Sequence, residues 1–219
     1  MKITRLHSVF TRAAWLALAL AGGCTTSSDT STVPKPGRGI ADYRQVVREA
    51  HRAVSATVQS LDGLVLPPTM TPVPPTALSQ FDKSFSRLEV TSVKARARAE
   101  AIIARGEAYF EEGKSNLGAA TNQAGAKVET ERQAKLLAHF NRIRDSSAGV
   151  REEFRPFMSA LREFRATLDP NLAAISAPPA QGRLAGLTAH GRRVLEKLDT
   201  VSAALNDAEA EVQAAPATK

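Results

Sequence analysis

From Leu78 onward the residues Leu78, Phe81, Phe85, Leu88, Ser92, Ala95, Ala99, Ile102, Gly106, Tyr109 and Gly113 follow one another by alternating steps of three and four. Only an α-helix brings such positions onto one side, and a mean step of about 3.5 held this long marks helices packed along a continuous seam. A second stretch repeats the pattern with Leu136, Phe140, Ile143, Ser147, Val150, Phe154, Phe157, Leu161, Phe164 and Leu168. The spacing predicts one helix beginning after Thr76 as N-cap and carrying the pattern to Gly113, and another from about Val128 to Leu168. Residues 114–127, with two Gly, two Asn and little bulk, predict the turn between them. Pro156 interrupts the second stretch and predicts a bend without a break.

Two shorter seams flank this pair. Tyr43, Val47, Ala50, Val54, Val58 and Leu61 predict a helix from about Ile40 to Leu61, stopped at Gly63. Leu184, Leu187, Gly191, Val194, Leu198, Val201, Leu205, Ala208 and Val212 predict a fourth. Prolines 67, 68, 72, 74 and 75 favour an extended crossing between the first two helices. Asp169-Pro170 ends the third, and Pro178 and Pro179 lie in the link to the fourth. The fold class expected is all-α: an elongated antiparallel bundle, part coiled-coil hairpin, of four helices with a rod on the order of 60 Å. The small residues from Ser92 to Gly106 predict close approach of a neighbouring helix there.

The N-terminus has a different grammar. Lys2, Arg5 and Arg12 precede an apolar run from Ala13 to Ala21, then Gly22, Gly23 and Cys24. That order reads as a secretory signal, and the run is far below the roughly 20 residues a membrane-crossing helix needs. Leu20-Ala21-Gly22-Gly23-Cys24 resembles the lipobox of bacterial lipoproteins, which implies a diacylglyceryl group on Cys24. Ala19-Leu20-Ala21 offers the alternative of ordinary cleavage after Ala21. Cys24 is the only cysteine of the chain, so it forms no internal disulfide. Domain organisation follows: residues 1–23 signal, 24–38 lipidated flexible tether, 39–213 helical domain and 214–219 disordered tail.

The signal carries three of the 29 Lys and Arg and none of the 22 Asp and Glu, so the remainder is +4. Spread along an envelope protein, that excess points to anionic lipid headgroups or cell-wall polymers and away from nucleic acid. His51, His139 and His190 stand on three helices without a ligand three or four places away, so no metal or other cofactor is indicated. Glu111-Glu112 and Glu152-Glu153 are helix neighbours that point about 100° apart and cannot flank one substrate. Phosphate loops and nucleophile elbows are absent from the sequence. Lys94, Arg96, Arg98 and Arg105, then Arg142, Arg144, Arg151 and Arg155, make the nearest approach to a binding surface. Nearby Glu100, Glu107, Glu152 and Glu153 favour reading them as coiled-coil flanks paired between helices.

Ser60-Leu61-Asp62-Gly63-Leu64, Phe81-Asp82-Lys83, Leu88-Glu89, Lys94-Ala-Arg96-Ala-Arg98-Ala, Tyr109-Phe110, Phe140-Asn-Arg-Ile143 and Phe154-Arg-Pro156-Phe157 together resemble an uncharacterised group of bacterial helical envelope proteins, a domain of unknown function. The likeness spans roughly residues 40–205 and implies the fold and the compartment, with no activity or site residue to carry over. The expectation for function is therefore a non-enzymatic envelope lipoprotein, at the outer membrane facing the periplasm. It would act as a helical spacer or docking scaffold for an envelope protein. The alternative is a binding module in which the bundle opens along its Ala/Gly-lined seam to hold a lipid. Exposed heptad flanks also allow pairing with a second copy.

Overall fold

Three of the four helices open on proline. α1 runs Pro36–Asp62, α2 Pro75–Gly118, α3 Gln123–Leu168 and α4 Pro178–Ala214. At the first helical position a proline loses no hydrogen bond and arrives with its φ already helical. The Ala77 amide donates to the Pro74 carbonyl at 3.0 Å, and the Ala180 and Gln181 amides both donate to the Ala177 carbonyl, at 3.0 and 3.1 Å. Thr76, expected as an N-cap, thus lies in the first turn of α2. Pro178 and Pro179 belong to α4 and not to the link before it.

The computed structural model describes residues 36–65, 74–118, 123–168 and 177–214. All belong to the second of two units, Val33–Lys219; the first, Met1–Thr32, falls outside the described residues, as does the whole predicted signal and Cys24. The predicted polyproline crossing also lies almost wholly outside them. α1 starts at Pro36, inside the segment predicted as tether. It closes beyond Asp62 with Gly63 donating to the Gln59 carbonyl, then Leu64 to Leu61 and Val65 to Asp62, a tightening that satisfies the last carbonyls. The turn predicted over 114–127 is narrower, because α2 continues to Gly118 and α3 begins at Gln123. α3 is continuous through Pro156.

Ion pairs give the topology. Glu49 meets Arg98, Asp82 meets Arg165, Arg142 meets Asp207 and Arg44 meets Glu209. In each interface the numbers rise on one helix as they fall on the other, so α1–α2, α2–α3, α3–α4 and α4–α1 are all antiparallel neighbours. The order around the square is the chain order, an up-down-up-down bundle. α1 and α3 touch across the diagonal where the Tyr43 hydroxyl donates to Ser147 Oγ at 2.7 Å. From that level, α2 and α3 run on past the start of α1 as a hairpin, accompanied by the end of α4, where Lys135 meets Glu211.

The predicted seams of α1, α3 and α4 supply most of the core and their buried faces are wider than the seams, whereas α2 buries its seam only at Phe81, Phe85 and Leu88. α1 also buries Val46, Ala53, Thr57 and Ser60, α3 adds Met158, and α4 adds Thr188 and Ala204. A helix flanked by two neighbours must cover more than a two-stranded coiled-coil stripe. Phe81, Phe85, Leu88 and Phe157 are at most 1 % exposed. Phe81 stacks on Phe85 at 5.9 Å and meets Phe164 edge-on at 5.8 Å. α4 passes Val58 and Phe157 at Gly191, where a Cβ would overlap the first and crowd the second.

Two glycine variants separate packing from helix propensity. Gly191→Ala should destabilise the bundle by about 1–3 kcal/mol in urea unfolding, overpacking outweighing the propensity gain. Gly186→Ala, with nothing within 4 Å of its added methyl, should stabilise by up to ~1 kcal/mol.

Candidate functional site

The polar groups carried into the core come from serine, threonine and tyrosine. Thr57 Oγ1 donates to the Ala53 carbonyl at 3.0 Å, a bond to its own helix. Ser60 Oγ donates to the Thr57 carbonyl at 2.7 Å and lies 2.6 Å from Ser84 Oγ of α2, which bonds the Phe81 carbonyl. Small hydroxylated residues let α1 and α2 pack closely here without stranding a donor. Tyr43 is satisfied through Ser147, which passes its own proton to the Ile143 carbonyl at 2.6 Å. Thr188 is the exception: its Oγ1 is buried with no hydrogen-bond partner among the described residues. The sequence pattern marks such positions only as small polar interruptions of an apolar face.

The ionisable candidates do not converge. His51 Nε2 lies 3.4 Å from Asp199, while His190 Nε2 lies 3.0 Å from the Glu153 carbonyl and 3.4 Å from its carboxylate. Each bridges α4 to a different neighbour. His139 is half-buried on α3 and meets neither. Among the described residues no three His, Cys, Asp or Glu side chains gather as a metal-binding group. Glu111 pairs with Lys114 at 2.6 Å and Glu112 is exposed, while Glu153 also takes Arg193 at 3.7 Å and Glu152 stays exposed. Neither adjacent pair shares a site.

The arginines divide into two sets. Arg98 reaches Glu49 on α1 at 3.1 Å, and Arg142 reaches Asp207 on α4 at 2.8 Å. These are the interhelical pairs the flanking carboxylates suggested, though their acids are Glu49 and Asp207 and not the nearby glutamates. Between α2 and α3 a ladder begins with Asp82–Arg165 at 3.0 Å and Glu89–Arg162 at 2.9 Å. The Arg165 guanidinium also lies over the Phe85 ring, 5.6 Å from its centroid. The ladder then stops. Arg96 pairs only along its own helix, with Glu100 at 3.4 Å; Arg105 bonds the Ala101 carbonyl, and Arg144 meets its neighbour Asp145. Lys94, Arg151 and Arg155 have no ion-pair partner among the described residues.

Where the ladder stops, the α2–α3 interface is less completely buried. Beyond Leu88 no seam residue of α2 is buried: Ser92, Ala95, Ala99 and Ile102 stay half-exposed, and so do Val150 and Phe154 across from them on α3. At the same level Val46, Val47 and Val54 of α1 and Leu198, Val201 and Leu205 of α4 are buried. The less buried stretch therefore lies on the α2–α3 side, the least closely packed of the four interfaces. Close helix approach was expected from the small residues. At Gly106 the close neighbour is the Phe140 ring of α3, which fills the space a Cβ would take and lies 5.4 Å from Phe110.

No family model, curated protein or solved structure matches the chain. No described helix is long and apolar enough to cross a membrane.

Two core hydroxyls give opposite expectations. Thr188→Val should stabilise by about 1 kcal/mol, because an unpaired buried hydroxyl is replaced by a methyl of equal shape. Burial pushes the Tyr43 phenol above its ordinary value of 10.0, against smaller lowering effects of the Ser147 hydrogen bond and the Arg151 charge. A raised folded value contributes stability that is present below the unfolded pKa and lost as pH rises through the folded one. The advantage of wild type over Tyr43→Phe, about 1 kcal/mol at neutral pH, should therefore shrink in denaturation curves taken above pH 10.0.

Proposed function

We propose that the protein is a non-enzymatic lipoprotein of the bacterial envelope, anchored through Cys24 to the outer membrane on its periplasmic side, whose bundle serves as a spacer and docking scaffold. The observation that carries this reading is the pair of helices of 44 and 46 residues held side by side. At 1.5 Å per residue each extends roughly 65 Å, long enough to present a partner well clear of a bilayer. Their relative register is locked by buried phenylalanines and by cross-helix ion pairs, which suits a part that transmits position and does not change shape.

The anchor would need no help from the bundle. Each buried acyl methylene contributes about 0.8 kcal/mol, so two or more chains on Cys24 hold the protein firmly. No described helix offers a membrane-crossing alternative. The resemblance to helical envelope proteins and the basic start with its apolar run support the same compartment. An envelope protein is the partner expected to dock, and self-association along the exposed flanks is a second mode of assembly.

Cell fractionation tests the anchor. Wild type should stay with membranes in high salt and incorporate labelled fatty acid, whereas Cys24→Ala should do neither. Retention of Cys24→Ala on salt-washed membranes would place the attachment elsewhere. Photo-crosslinkers along α2 and α3 in living cells should capture one recurrent envelope protein; repeated absence of any captured protein would remove the scaffold.

A further inference from the structure

The charge ladder between α2 and α3 breaks in a specific way. Its acids, Asp82 and Glu89, are one heptad apart, and Arg96 follows one heptad later on the same side of α2. On α3, Arg151 stands two heptads before Arg165, and Arg155 one heptad before Arg162, hence on the side that faces α2. The antiparallel register brings Arg96 to the level of Arg151 and Arg155. Three arginines thus share one level of the α2–α3 interface, and Glu100, paired with Arg96, is the carboxylate beside them. Arg151 and Arg155 meet no acid among the described residues, and the only partner of Arg96 is Glu100 on its own exposed surface. Like charges gathered this way destabilise the bundle unless an anion joins them.

Beneath that rim the apolar seam is only partly buried. Ala95, Ala99, Ile102, Val150 and Phe154 form its floor, and each is a half-exposed seam position packed on the core. Tyr43 lies at the base, close enough to Arg151 to feel its charge. This stretch is bounded at both ends, above by Glu89–Arg162 and below by Phe140 seated on Gly106. From Glu89 to Gly106 is roughly 25 Å along α2 at 1.5 Å per residue.

We propose that this α2–α3 seam binds an anionic single-chain lipid, its acyl chain along the Ala95–Phe154 floor and its headgroup held by Arg96, Arg151 and Arg155. The contacts that hold α2 to α3 at both ends select a chain over a helix. A docked helix needs about 8–10 Å from each neighbouring axis, and α2 and α3 still meet above and below this stretch. One leaflet of a bilayer is about 15 Å of hydrocarbon, half of the ~30 Å core, so a single chain fits within the bounded length. Guanidinium groups match phosphate and carboxylate oxygens in paired hydrogen bonds, which sets the headgroup charge. The seam is independent of the anchor, since none of its residues lies near Cys24 in the chain.

The test uses the full chain carrying Cys24→Ser, which has no acylation site, so its outcome does not depend on the anchor. Lysophosphatidylglycerol, below its micelle concentration, is titrated by calorimetry beside lysophosphatidylcholine and free glycerol phosphate. Saturable binding of the first is expected, with affinity at least about tenfold above the other two and a negative heat-capacity change from apolar burial. Arg151→Gln with Arg155→Gln, both exposed, should weaken it by about tenfold or more. Ala99→Phe should block the floor while leaving headgroup charge intact. No binding, equal affinity for the choline lipid, or indifference to the arginine pair would overturn the proposal. Binding of glycerol phosphate as tight as the lipid would reduce the site to a simple anion site. Displacement of the lipid by an acidic amphipathic helical peptide of higher affinity would make the occupant a protein.

Discussion

The packing of Phe81 on Phe85 and Phe164, together with Phe157 and Val58 filling the gap left by Gly191, is the constraint on which the other contacts rest. Each buried ring contributes up to about 3 kcal/mol, whereas the ion pairs around the bundle are mostly exposed and contribute about 0–1 kcal/mol apiece. The rings therefore decide how far apart the helices lie. The ion pairs decide how they slide. With Gly191 admitting Val58 and Phe157, α4 can sit close to α1 and α3. Nothing equivalent draws α2 onto α3 between Leu88 and Gly106.

That imbalance explains the unequal interfaces. α2 and α3 are held by phenylalanines at one end and by Phe140 on Gly106 at the other, with only Ser92, Ala95, Ala99 and Ile102 between. Alanines on a helix surface pack closely when the facing surface is also small. Here the facing residues are Val150 and Phe154, and the bulk at both ends keeps the backbones apart. The result is a bounded, partly buried stretch in a bundle whose other three interfaces are more closely packed. The arginines at its rim and the scaffold reading are compatible: one concerns what the seam holds, the other what the length is for.

Polar satisfaction follows the same logic. Thr57, Ser60 and Ser84 sit where α1 and α2 are close, and each bonds a carbonyl of its own helix, so burying them leaves no donor stranded. Tyr43 spans the diagonal, where no helix pair is close enough to pack directly, and needs Ser147 to take its proton. Tyr43 is the one that specifies register, since a slip of one turn would part it from Ser147 and leave its hydroxyl unpaired in the core.

The sequence by itself determined the four helices and the side each turns inward. A step of 3.5 residues admits no other secondary structure, and the predicted seams of α1, α3 and α4 supply most of the core. At the helix starts the pattern misleads, because Pro178 opens α4 at its first position and Thr76 lies within the first turn of α2. The turn over 114–127 was drawn too wide because Gly and Asn lower helix propensity without forbidding it once a neighbour packs alongside. Arg96, Arg151 and Arg155 were visible as charges, and Asp82, Glu89, Arg162 and Arg165 stand at spacings from which the ladder follows once the register is known. What only the tertiary structure decided was the register, the partners and the less buried interface. A heptad stripe encodes which way a side chain points; the distance to the next helix depends on the volumes it meets there, and those belong to residues far away in the chain.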